Sequence, residues 1–193
     1  MAANDPGYSV PTLGGPMLAA AAFGWDGSAW VANGPGSGAG AVSYLSLTAS
    51  PTVTANAYAA GNCVGTLVSL AGAVPTAGYS GVLRQVVVSF LAGNVPSLDV
   101  FLFNANPTGS TFTDRSAVAV VSADLTKICG VLNIASANYS LAAASTMSVG
   151  QAVVALPFVL AATTLYAAFV ARSAFTPTGT ADFACKFLIQ RGA

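Results

Sequence analysis

Glutamate and histidine are missing altogether from the 193 residues, and charge of either sign is scarce. Six aspartates stand against six lysines or arginines, so the net charge is zero and charged residues make up 6% of the chain. An ordinary globular domain carries about 25%. Without His, no side chain titrates near neutrality at its unperturbed pKa. Without Glu, acid–base work falls to six scattered Asp. A Ser-His-Asp triad cannot be assembled. A Ser-x-x-Lys dyad is absent too, since the residues three before Lys127 and Lys186 are Asp124 and Phe183. Paired-carboxylate chemistry needs one Asp with a raised pKa, and the Asp residues here fall at turns and strand surfaces. No Asp-rich calcium loop of the DxDxDG kind occurs. The expectation is a chain with no catalytic, cofactor-binding or metal-binding residues. Six cations spread along its whole length form no basic stripe, so nucleic acid is not an expected partner.

Cysteine is also sparse. Cys63, Cys129 and Cys185 are far apart and form no CxxC pair, so neither a zinc knuckle nor a redox motif is present. Buried free thiols are expected, with a Cys63–Cys129 disulfide left open. Residues 1–16 hold no Lys or Arg, so the positive start of a signal peptide is lacking.

What the chain has in quantity is apolar surface, 54% of its residues. That content with little charge is the opposite of a disordered chain. Near-zero net charge promotes association, so the surface should be polar through Ser, Thr, Asn and Gly, and covered in part by protein partners. The longest uncharged apolar run, Ala152–Ala171, has the length of a membrane span. Pro157 and Thr163-Thr164 interrupt it, and it splits at period two: Ala152, Val154, Leu156, Phe158 and Leu160, then Leu165, Ala167, Phe169 and Ala171. Two strands covered on both faces account for it better than a span, so a membrane is not expected as a partner.

Residues 1–55 differ from the rest. Pro6, Pro11, Pro16, Pro35 and Pro51 punctuate them, and Asn33–Ala41 reads NGPGSGAGA. Gly and Pro at this density do not build regular elements. Gly36–Ala41 loosely matches a dinucleotide fingerprint, but no strand precedes it, no helix follows and no acid lies about twenty residues on, so a linker is expected. The segment nevertheless holds Tyr8, Phe23, Trp25, Trp30 and Tyr44. We expect an extended N-terminal arm over 1–55 that docks by its rings, on its own domain or on a neighbour.

Residues 56–193 read as strands and turns. Strands are expected at Val64–Leu70, Val82–Phe90, Leu98–Phe103, Ala117–Val121, Ile128–Ile134, Ala152–Leu160, Leu165–Arg172 and Asp182–Gln190. The last is the cleanest, with Phe183, Cys185, Phe187 and Ile189 on one face. A short helical turn is expected at Ser122–Lys127, with Ser122 as cap and Asp124 in the first turn. Asn138-Tyr139-Ser140 matches a glycosylation acceptor by chance. Eight short strands imply an all-β, two-sheet sandwich, jelly-roll-like, carrying the arm, with an orthogonal β-barrel as the alternative. Asp114 and Arg115 close the conspicuous loop Asn104–Arg115. They join Phe23, Trp25, Trp30 and Tyr44 as candidate partner contacts, against the plainer alternative of a solvated turn.

The order VVVSF, LDVFLFNANPTGSTFTD, ADLTKICGVLNI, ALPFVLAATTLYAAFVAR and a closing strand resembles small virion structural proteins of tailed bacteriophages, over roughly residues 60–190. The arm has no counterpart in the resemblance. It implies a β-sandwich subunit on the phage head, a decoration or cement protein that binds and stabilises the shell. The major capsid protein and copies of itself, as a trimer, would be its partners, after synthesis in the host cytoplasm. The alternative is a tail or spike module recognising host surface glycans.

Overall fold

The computed structural model describes residues 22–25, 30–33, 43–91, 93–141 and 146–191, the first two stretches as backbone only. The chain divides into two compact units, 1–41 and 42–193. In the first, β1 (Ala22–Trp25) pairs antiparallel with β2 (Trp30–Asn33), which sets Trp25 opposite Trp30 in register.

The second unit is a two-sheet antiparallel sandwich. Its strands are β3 (Ser43–Ala49), β4 (Val68–Leu70), β5 (Ser80–Leu91), β6 (Leu98–Phe103), β7 (Ile128–Ile134), β8 (Tyr139–Leu141), β9 (Met147–Val159), β10 (Leu165–Ala171) and β11 (Phe183–Arg191). Two short helical turns, α1 (Ser122–Leu125) and a 3-10 turn at Ser136–Asn138, interrupt them. A four-stranded sheet runs β4-β10-β6-β7, and a five-stranded sheet runs β3-β11-β5-β9-β8. Leaving out short β8, the pairs nest: β3 with β11, β4 with β10, β5 with β9, β6 with β7.

Period-two alternation decides which side chains enter the core. Val100 and Leu102 of β6 and Leu165, Ala167, Phe169 and Ala171 of β10 point inward from the four-stranded sheet. Val86, Val88 and Phe90 of β5 and Phe183, Cys185, Phe187 and Ile189 of β11 meet them from the other. Phe169 bridges the sheets, with its ring 4.9 Å from Phe183 and 6.2 Å from Phe187. The aromatic row continues through Phe90, stacked on Phe183 at 4.8 Å, to Phe175 and then Tyr58. Burying an aromatic ring contributes a few kcal/mol at about 25 cal/mol per Å², so this row is a main tie between the sheets.

Several local expectations change, among them that no strand precedes Gly36, since β2 ends at Asn33. The stretch 43–55, assigned to the arm, belongs to the sandwich: β3 pairs with β11 along its length, and Val53 is fully buried. It holds no glycine and one proline, unlike the run before it, and its long-range partner β11 fixes it in the sheet. The remainder of the arm, Tyr8 included, lies outside the described residues apart from β1 and β2. Ala117–Val121 forms only isolated bridges, Asn62 to Ala117 and Thr111 to Ala119. Val64–Leu70 shortens to Val68–Leu70, because Gly65 takes φ +74° and bends the chain out of a ladder. Ser122 does not cap α1; the N-cap is Val121, with no side-chain cap bond.

A candidate contact surface

The outer faces of the two sheets are built alike and finished differently. On the four-stranded sheet, Phe101 and Phe103 of β6 and Tyr166 and Ala168 of β10 point away from the main core. The chain between β6 and β7 folds back over them. Phe112, Val118 and Val120 form a second, smaller core with these residues and Cys63. Phe103 and Phe112 meet edge to face at 5.5 Å.

Buried Asp124 fastens that cover. Its carboxylate accepts bonds from Ser110 Oγ at 2.6 Å and the Gly109 N–H at 3.0 Å, and pairs with Lys127 Nζ at 2.7 Å. Lys127 also donates to the Asn106 carbonyl at 2.8 Å. The bonds from Lys127 and Ser110 hold the Asp124 carboxyl below its ordinary pKa.

Asp114 anchors the other end. Its Oδ1 accepts from Tyr58 Oη and from the Gly65 N–H, both at 2.7 Å. A Cβ on Gly65 would stand 2.6 Å from the Pro51 Cβ, so only glycine fits there. Burial raises the Tyr58 hydroxyl pKa, and Asp114 beside it adds to the rise. Arg115 is exposed in the left-handed region at φ 61°, and its Nε donates to the Ala57 carbonyl at 3.3 Å. Of this candidate pair, Asp114 is held within the chain through Oδ1 while its buried Oδ2 has no partner, and Arg115 faces solvent.

On the five-stranded sheet nothing among the described residues plays the covering part. Three cross-strand rows face outward: Thr48-Lys186-Val87-Gln151, Ser46-Leu188-Gln85-Val153 and Tyr44-Gln190-Val82-Pro157. The Gln85 and Gln151 side chains bond each other at 2.9 Å. Val153 is 75% exposed, Val159 57%, Leu91 50% and Met147 40%. An open hollow of about 320 Å³ lies among Thr48, Val87, Ser89, Met147, Val149 and Lys186. Tyr44 stands at the margin of this face, 61% exposed.

This corrects the expectation that both halves of the Ala152–Ala171 run are covered on two faces. β10 is, apart from half-buried Tyr166; β9 is covered on one. The exposed odd positions of β9 are the contact candidates that sequence reasoning missed. Their signal was present: Val153, Ala155, Pro157 and Val159 are apolar on the face opposite the core.

The remaining reactive groups are quiet. Asp99 pairs with Arg172 at 2.8 Å and accepts from Asn133 at 3.0 Å. Asp182 is buried, which raises its pKa, but bonds from Thr178 and Gly179 outweigh this and hold it low. All four described aspartates, 99, 114, 124 and 182, are thus engaged within the chain. The three cysteines are free, which closes the Cys63–Cys129 alternative. Burial pushes the Cys63 and Cys185 thiols up to about 12 and Cys129 to about 11. Among the described residues no group of His, Cys, Asp or Glu could hold a metal ion, and no helix is long and apolar enough to cross a membrane.

No protein-family model matches the chain, and no curated protein matches it significantly. The outer face of the five-stranded sheet is therefore characterised by its own chemistry: apolar residues among mostly uncharged polar ones, with no described segment over it.

Proposed function

We propose that this chain is a non-enzymatic structural subunit with a jelly-roll sandwich, which binds and stabilises the head shell of a tailed phage as a decoration (cement) protein. The observation that carries the proposal is the uncovered face of the five-stranded sheet. A sheet face that leaves large apolar side chains exposed among mostly uncharged polar ones suits a protein partner. Lys186 is exposed on this face, and a partner that covers it must supply a carboxylate or a carbonyl to it. The jelly-roll assignment rests on strand order. Counting the eight strands other than β8, one sheet reads 1-8-3-6 and the other 2-7-4-5, the arrangement of one long antiparallel hairpin rolled into two Greek keys. The intrachain engagement of the four described aspartates and the raised thiol pKa values support a non-catalytic role.

The glycan-binding alternative draws less support. Sugar recognition favours an aromatic platform, and the hollow on this face has none among its lining residues. The decisive experiment is electron microscopy of the virion with peptide mass spectrometry of purified particles. The expected result is density on the head, with the five-stranded face against the shell, and reduced occupancy for Val153→Lys combined with Val87→Lys. Location on a tail fibre, or absence from the particle, would overturn the proposal.

A further inference from the structure

We infer that the outer edge of β3 is a strand-addition seam to β3 of a second copy of this chain. The inference stands apart from the virion proposal and rests on how the sheet edges are finished. The two sheets end in four edge strands: β4 and β7 on one, β3 and β8 on the other. Natural proteins blunt such edges by shortening them, bulging them or placing charge or proline on them. β4 and β8 have three residues each. β7 is irregular: successive β6 residues Leu102 and Phe103 pair with Gly130 and Ile128, leaving Cys129 as an extra residue. β3 has none of these devices. It runs seven residues, SYLSLTA, in unbroken register with β11, without charge, proline or glycine, and no described strand pairs with its outer edge.

A second observation comes from beneath the strand. The inward residues Leu45, Leu47 and Ala49 are only half-buried, whereas their β11 partners Ile189, Phe187 and Cys185 are buried. The main core is only partly closed along this border, as it also is beside β7, β8 and β9, where Cys129, Tyr139, Ala152, Val154 and Leu156 are half-buried. A second β3 closes it, because the strand is complementary to itself. Antiparallel pairing about Ser46 sets Leu45 against Leu47 on the core side and Tyr44 against Thr48 on the outer side, with no charge on either chain. That contact is isologous and closes at two copies. It departs from the three-fold assembly that the phage resemblance implies. Two five-stranded sheets become one of ten strands, and the two open outer faces become continuous.

The test uses the full chain. Ser46 is exposed and meets its own counterpart at the two-fold axis. Directly opposed residues of an antiparallel pair lie at disulfide-compatible Cα separations. Ser46→Cys should therefore cross-link most of the chain into a covalent dimer on mild oxidation, with peptide mapping locating the bond at position 46. Thr48→Cys places its two thiols roughly 13 Å apart along the strand and should give little cross-link. Sedimentation of the unmodified chain should give twice the 19.0 kDa of one copy. Ser46→Lys opposes like charges across the axis and should return the mass to one copy with the melting temperature of the isolated unit retained. A single-copy mass for the unmodified chain overturns the inference. So does a three-copy mass, or a dimer indifferent to Ser46→Lys.

Discussion

The two outer faces of the sandwich carry the same strand alternation and meet opposite fates. On the four-stranded sheet the chain between β6 and β7 returns over Phe101, Phe103 and Ala168 and makes a second core. On the five-stranded sheet Val153, Val159, Leu91 and Met147 remain exposed. The difference teaches that alternation specifies one buried face only. Whether the opposite face is also buried depends on a covering segment and on something to hold it. Here that is a pair of aspartates: Asp124 bonded to Gly109 and Ser110, and Asp114 bonded to Tyr58 and Gly65.

Breaking what the faces share should have the largest effect. Phe169 packs between both sheets, so Phe169→Ala should cost about 3–5 kcal/mol. Urea unfolding should show one transition moved to lower denaturant; separate transitions for the two sheets would refute a single shared core. Phe112→Ala tests the cover alone and should cost about 3 kcal/mol, the low end for a buried aromatic because Phe112 lies under one segment. Limited proteolysis should then cut within residues 104–121 while the sandwich survives. The aspartates give a pH signature. Asp124 and Asp182 are held below the usual carboxyl range. Their stabilisation is complete above about pH 4, the unfolded value, and is lost as pH falls through their lower folded values. The thiols work in the other direction. Raised by burial to about 11–12, they stabilise fully below about pH 8.5 and lose this as pH rises through the folded values. With no histidine between, melting temperature should be level from about pH 5 to 8. Asp124→Asn with Asp182→Asn should lower that level and flatten the acid limb. The smallest effect belongs to the open face: Val153→Ala should change stability by less than about 0.5 kcal/mol. A loss near that of Phe112→Ala would mean the face is covered after all.

The sequence was most legible where a strand alternates by itself. Leu98–Phe103 and Ile128–Ile134 have the expected bounds, and the even face of β9 and the Phe183–Ile189 face of β11 are inward as expected. β3 carried a strand-like pattern, yet its membership of the sheet depends on β11, distant in sequence. β8 is too short to show a period. The covering segment was invisible for a different reason: its order comes from single side chains reaching across the fold. Asp114 was selected as an outward contact because it closes a polar loop, and nothing local announces Tyr58 and Gly65 as its partners. Of the other candidates, Tyr44 is exposed on β3, while Phe23, Trp25 and Trp30 lie on the β1–β2 pair, described by backbone alone.

The nested pairing also sets a timetable for synthesis. β11 lies between β3 and β5 in the five-stranded sheet, so the last of this unit's described strands to be made occupies an interior place. As the chain leaves the ribosome, β3 emerges first among the strands of its unit and waits for a partner until residues 183–191 are made. Within this unit β8 and β9 are neighbours in sequence and able to pair early, and β6 and β7, at the tip of the nested hairpin, are the next nearest; β3 and β11 are the farthest apart. Contacts this distant slow folding and leave apolar edges unprotected while they form. A chain stopped before Phe183 lacks the middle of its sheet and cannot trim itself to a smaller version of the fold, so this sandwich is completed all at once or not at all.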